Sequence, residues 1–167
     1  MANEARTELN AIDLLMQDHR ELESLFSEFD YLQRRGDDTS AVIKSACAEL
    51  KIHDALENDI FYPAVGEAAR DEAVDTLLDD AEDAHDDVLD LMEQLELGHA
   101  DGASHNARFS AIAKAALDHI EREERELFPL LSKLERLDLD AVAADMKART
   151  SELMAGGETR QVSAGSI

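Results

Sequence analysis

The stretch His53-Asp-Ala-Leu-Glu57-Asn-Asp-Ile-Phe-Tyr-Pro63 and its echo His119-Ile-Glu-Arg-Glu123-Glu-Arg-Glu-Leu-Phe-Pro129 decide how the chain is read. Each holds a His, a Glu four residues on, an apolar–aromatic pair, and a Pro six residues after the Glu. On an α-helix, residues four apart stand one turn apart on the same face. Each stretch therefore offers an imidazole beside a carboxylate, a pairing that suits a borderline or hard transition metal such as iron, manganese or zinc. One such pair arises easily by chance; two with matching flanks do not.

The echo extends beyond these stretches. The interval from His19 to His85 equals that from His53 to His119, from Glu57 to Glu123 and from Pro63 to Pro129. Residues 10–65 and 70–134 thus read as two copies of one helical hairpin. Packed about a pseudo-twofold axis, they would bring four imidazoles and two carboxylates to one depth. A single His on an apolar stripe is ordinarily a core histidine with a hydrogen-bond partner. Four in matching register, two with a Glu one turn later, reverse that balance. Burying the carboxylates without a counter-ion would cost on the order of several kcal/mol each. The apolar stripes carry no inward Lys or Arg to meet them, and a pair of cations removes the difficulty.

Each expected helix carries an apolar stripe in steps of three and four, the mark of a core-facing surface. The first presents Ile12, Leu15, His19, Leu22, Phe26 and Phe29, opens at an Asn10 cap and closes at Arg34-Arg-Gly36. After a turn at Asp37-Asp-Thr-Ser40, the second presents Ile43, Ala46, Leu50, His53, Glu57 and Ile60, and Pro63 is expected to kink or end it. A turn near residues 66–71 leads to a third with Leu78, Ala81, His85, Val88, Met92 and Leu95, stopped by Gly98. Ser104 is the expected cap of a fourth, with Phe109, Ile112, Ala116, His119, Glu123 and Leu127. These make an all-α, antiparallel up-down-up-down four-helix bundle over residues 1–135, a fold that builds metal sites from facing helices. A short accessory helix is expected over 136–154, packed outside or serving an interface, and a flexible tail over 155–167.

Composition narrows the function. In 167 residues, 16 Lys and Arg face 39 Asp and Glu, a net charge of −23. Such a surface repels nucleic acid and anionic membranes, so neither is an expected partner, and no protein partner is indicated. The single Cys47 excludes an intramolecular disulfide and agrees with a reducing cytoplasm. With no apolar signal core and no long apolar run, the expectation is a soluble cytoplasmic protein. His99 and His105 fall outside the register and are expected in solvent; Cys47 is expected as a small buried residue. Glu82, three residues before His85, is a further candidate carboxylate, although its repeat counterpart is Met16. Tyr62, whose counterpart is Phe128, is expected to pack, with metal binding as the alternative.

On His19, His53xxxGlu57 with Phe61-Tyr-Pro63, His85, and His119xxxGlu123 with Leu127-Phe-Pro129, the sequence resembles the hemerythrin-like family, or HHE cation-binding domain. The resemblance spans about residues 10–135. It implies a four-helix bundle around two non-haem iron ions with an oxo or hydroxo bridge. Glu57 and Glu123 would bridge the irons, His19 and His53 would bind one, and His85 and His119 the other. Manganese or a mixed pair would suit the same ligands. The family's oxygen carriers have another His one turn from the third-helix ligand; here those places are Ala81 and Leu89. The set instead matches the four-His, two-Glu proteins that repair iron–sulfur clusters, without the cysteine-bearing domain typical of them. Fewer nitrogen ligands leave places for O2, peroxide, NO or water, which favours redox reactivity over reversible oxygen carriage. Peroxidase-like, catalase-like or NO-reducing chemistry, a labile iron reservoir for cluster repair, and an oxygen, redox or iron sensor follow as the readings to separate.

Overall fold

The computed structural model describes residues 8–98 and 102–163, with side chains through 156. α1 (Ala11–Arg35) opens on a reciprocal cap, Asn10 accepting from the Asp13 N–H at 3.0 Å and Asp13 from the Asn10 N–H at 3.1 Å. It ends at Gly36, whose φ of 71° lies in the left-handed region that glycine enters at little cost. The buried face of α1 begins at Ala11 rather than at the expected Ile12 and then follows the stripe through Leu15, His19, Leu22, Phe26 and Phe29.

The helix expected to kink or end at Pro63 runs on past it. α2 (Ser40–Leu56) passes through a π-helical turn, Glu57–Phe61, directly into α3 (Tyr62–Ala69). In that turn the Tyr62 N–H reaches back five residues to the Glu57 carbonyl. Proline has no N–H to give, and its ring presses on the carbonyl four residues back. The wider π turn absorbs both problems, and π turns of this kind gather at functional sites. The extra residue also shifts the buried stripe by one, so Phe61 is buried where Ile60 was expected.

The second half repeats the device. Arg70 and an Asp71 cap reverse the chain into α4 (Glu72–Leu97), which ends at Gly98. α5 (Gly102–Arg122) starts two residues ahead of Ser104, which therefore lies inside the helix rather than at its cap position. A second π turn, Glu123–Leu127, with the Phe128 N–H on the Glu123 carbonyl, leads into α6 (Phe128–Leu131) past Pro129. α7 (Leu139–Ser163) is longer than the helix expected to finish near residue 154. Gly156 and Gly157 cost a helix only about 1 kcal/mol each, and no proline follows them. The last tail residues, 164–167, lie outside the described part.

α1 with α2 and α4 with α5 form two hairpins that close on each other as an all-α bundle, with no strand among the described residues. α7 packs on the outside, across α1, α2 and the first π turn, burying Val142, Ala143 and Met146. Arg149 fixes its far part to Asp59 at 3.0 Å. The core falls into two apolar clusters, one around Phe61, Val65, Leu78 and Met146, the other around Phe26, Phe29, Met92 and Phe109. Between them lies one polar layer. Among the described residues no helix is long and apolar enough to cross a membrane.

Candidate metal centre

The polar layer contains all six predicted residues. His19 comes from α1, His53 from α2, His85 from α4 and His119 from α5, while Glu57 and Glu123 are the first residues of the two π turns. All six are buried. His53 Nε2 lies 3.3 Å from Glu57 Oε1, and His19 Nε2 lies 3.3 Å from Glu123 Oε2. On the other side, His85 Nε2 and His119 Nε2 are 3.0 Å apart and lie 3.0 and 3.5 Å from Glu57 Oε2. Ligands about 2.1 Å from one metal ion, at right angles, stand roughly 3 Å from each other. Two groups of ligand atoms, each within 4.8 Å of one another, result: His19, His53, Glu57 and Glu123, and Glu57, His85 and His119. Glu57 belongs to both, one oxygen facing each group.

The ring orientations suit metal binding. The His19 Nδ1–H donates to Glu124 Oε1 at 2.8 Å, and Arg20 also holds that carboxylate. The His85 Nδ1–H donates to the Asn58 amide oxygen at 3.0 Å. Either bond leaves the inward Nε2 as the lone-pair atom, the usual arrangement behind a metal-bound imidazole. His53 Nδ1 lies 3.6 Å from Asp18 Oδ2. Asn58 and Glu124 were not foreseen. Each follows its Glu, so the two are repeat counterparts, but α-helical periodicity gives no sign that a π turn aims consecutive residues at the site.

Tyr62 has a larger role than packing. Its hydroxyl lies 2.8 Å from Glu57 Oε2 and 3.0 Å from Glu123 Oε1, with His85 and His119 Nε2 at 3.5 and 3.4 Å. Its ring stacks on His85 at 5.5 Å, and Phe128 stacks on His19 at 5.8 Å, each aromatic reaching the first-helix His of the other half. Glu82, by contrast, is exposed on α4 and adds no ligand. His105 lies near the start of α5, roughly 21 Å from His119 along the axis at the α-helical rise. His99 lies outside the described residues. Cys47 is half-buried against the second apolar cluster, burial raises its thiol pKa, and it joins neither ligand group.

Burial alone would keep these groups neutral, and their proximity opposes that. Burial lowers the His53 pKa, but Glu57, Asp18, Asp54 and Glu123 outweigh it and raise it to about 10. Burial likewise pushes Glu57 up, and the imidazoles around it outweigh burial and hold it well below the carboxylate range. Glu123 is raised, by burial and by the charge on Glu57, so the second carboxylate of the pair tends to keep its proton. Burial and both carboxylates push the Tyr62 phenol well above its usual value, which keeps it a donor.

The donor set fits a pair of cations. The buried side-chain N and O atoms without a hydrogen bond, among the described residues, are His19 Nε2, both ring nitrogens of His53, Asp54 Oδ2, Glu57 Oε1 and Glu123 Oε2. Every one belongs to this layer. Buried polar atoms are normally paired, and so many orphans in one place describe a ligand shell better than a core. A cleft of about 260 Å³ between α4 and α5 opens the layer to solvent at His119 and Glu123. Its walls include Ala81, Ala84 and Ala115 among Asp80, Asp118 and Arg122.

Comparison with curated proteins found no significant match. The solved structure of a hemerythrin HHE cation binding domain-containing protein from Mycobacterium kansasii is similar, with a TM-score of 0.74 and 20% identity over 95% of this chain and 96% of that one. At that identity the likeness establishes a shared fold. The family model for the hemerythrin HHE cation binding domain matches residues 10–131, most of the chain and every side chain of the layer. The protein is therefore a member of the hemerythrin HHE cation-binding domain family.

Proposed function

We propose that this protein holds two non-haem iron ions in the His/Glu layer and reacts there with small oxidants: O2, peroxide or NO. The observation that carries the reading is the division of ligand atoms into two groups that share Glu57. His19 and His53 would hold one ion, His85 and His119 the other, with Glu57 and Glu123 bridging. Manganese in one or both places would satisfy the same donors. Once bound, the metal pair supplies Lewis acidity and redox equivalents.

The chain supplies the rest. Glu124 and Asn58 fix the His19 and His85 rings so that Nε2 faces inward. The Tyr62 Oη–H lies against both bridging carboxylates and holds a proton within reach of any small molecule in the layer. Apolar residues above and below shield the layer, and the cleft at His119, about 260 Å³, gives small reactants a route to it. The single, half-buried Cys47 supports a reducing cytoplasmic setting.

Metal content per chain and the visible spectrum of protein expressed with added iron test this reading. Two irons with near-ultraviolet oxo-to-iron charge-transfer bands are expected; after chemical reduction of the irons, return of those bands on adding O2, peroxide or NO would identify the reactant. Glu57→Ala and Glu123→Ala are expected to abolish two-iron loading, and His105→Ala to leave it unchanged. A metal-free protein, or one colourless zinc per chain, would refute the reading.

A further inference from the structure

Each hairpin backs the first-helix His of the other with the residue that follows its layer Glu, but the two backings differ in charge. His19 Nδ1–H donates to the Glu124 carboxylate at 2.8 Å, and His85 Nδ1–H to the neutral Asn58 amide at 3.0 Å. The residue after each His differs to match. Arg20 follows His19, and its guanidinium bonds the same Glu124 oxygen that His19 uses. Its counterpart after His85 is Asp86, exposed on α4. A cation thus stands beyond the charged partner and none at the equivalent place beyond the neutral one. Arg20 is half exposed, and Glu23, one turn on, steadies its other arm at 2.9 Å.

Resting on the two-metal reading above, we propose that Arg20 sets, through Glu124, how strongly His19 donates to its metal, and so tunes the potential of the centre from the surface. Arg20 is a positioning residue in this account, acting through two other side chains. An imidazole that gives its outer N–H to a carboxylate becomes more basic at the metal-facing nitrogen. A more basic ligand favours the more highly charged ion and lowers the potential. Arg20 tempers that pull, because a carboxylate oxygen shared with a guanidinium has less charge to offer the ring proton. The amide behind His85 has no charge to temper. The step that reads this tuning makes and breaks no bond. One electron leaves the ferrous pair for an external one-electron acceptor, and His19 keeps its Nδ1 proton.

Spectroelectrochemical titration of the iron-loaded protein tests the proposal on Arg20→Gln, Glu124→Gln and the two combined. Arg20→Gln is expected to lower the first potential by the equivalent of about a tenfold change in ferric-over-ferrous preference, or about 59 mV for one electron. Glu124→Gln is expected to raise it by at least as much. In the Glu124→Gln background, Arg20→Gln is expected to change nothing, as an effect that travels through Glu124 must. Arg20→Lys, which keeps the cation, is expected to stay near the parent, and this comparison decides alone if Glu124→Gln loses its iron. An unmoved potential in Arg20→Gln would overturn the proposal. So would a shift that persists without the Glu124 charge, or one that Arg20→Lys shares in full. A parent that fails to hold two irons would count against the two-metal reading instead.

Discussion

Tyr62 and Phe128 occupy equivalent places in the two hairpins, each ring stacked on the first-helix His of the other half, and differ by one hydroxyl. That hydroxyl has two carboxylates for partners. Hydrogen bonds to charged groups contribute roughly 1.5–3 kcal/mol, so Tyr62→Phe is expected to destabilise the metal-free protein by about that much. With metal bound, the carboxylates have other partners and the loss should shrink to less than about 1 kcal/mol. Denaturant unfolding in chelator and in excess metal compares the two; equal losses would place the hydroxyl outside the metal chemistry. The six ligand-capable residues were legible from spacing alone, because spacing on a helix fixes direction. The phenol was not. In a period-3.6 reading Tyr62 falls beside the stripe rather than on it, and only the added residue of the π turn rotates it inward. Asp54 was hidden for another reason: nothing in a sequence distinguishes a buried unpaired acid from the many exposed ones in a chain of net charge −23.

Among the elements, the π turns carry the departures from expectation and α7 settles a question that sequence left open. Pro63 reads as a kink or an end of its helix, and it and Pro129 each lie just beyond a π turn that begins at one of the two layer glutamates. The prolines were visible; the accommodation was not, since a widened turn is chosen by tertiary packing rather than by local propensity. For α7, the expectation was an accessory helix packed outside or serving an interface, with no berth assigned. The structure places it on α1 and α2, with Met146 at 1% exposure in the cluster that also holds Phe61 and Val65. Met146→Ala is therefore expected to cost about 2–5 kcal/mol, read as a lowered midpoint of thermal unfolding. A loss below about 0.5 kcal/mol, typical of surface changes, would mean that α7 does not rest there in solution.

For the whole molecule, the cluster couples stability to pH with opposite signs in its two forms. In the protein alone, His53 is raised from 6.5 to about 10, so its charged form contributes stability in full below pH 6.5 and loses it as the pH climbs toward 10. Glu123 and Asp54, both raised by burial, act in the same direction because their ionisation opposes folding. Metal needs the imidazoles neutral and the carboxylates ionised, so loading should strengthen over that same interval. Melting temperatures at pH 6.5 and 9.5 are expected to fall in chelator and to hold or rise with metal; parallel slopes would disconnect the cluster from metal binding. The internal repeat that made the bundle readable also shows where the halves diverge. The cleft at Leu77, Asp80, Ala84 and Ala115 corresponds, in the first hairpin, to Ala11, Leu14, Asp18 and Glu49. That earlier face lies under α7, which packs against α1 and α2. With α7 along one side of its centre and no described helix along the other, the bundle offers the layer two unlike approaches. On the proposed function, the position at His85 and His119, beside the side α7 leaves bare, would trade its ion with the surroundings more readily than the position at His19 and His53.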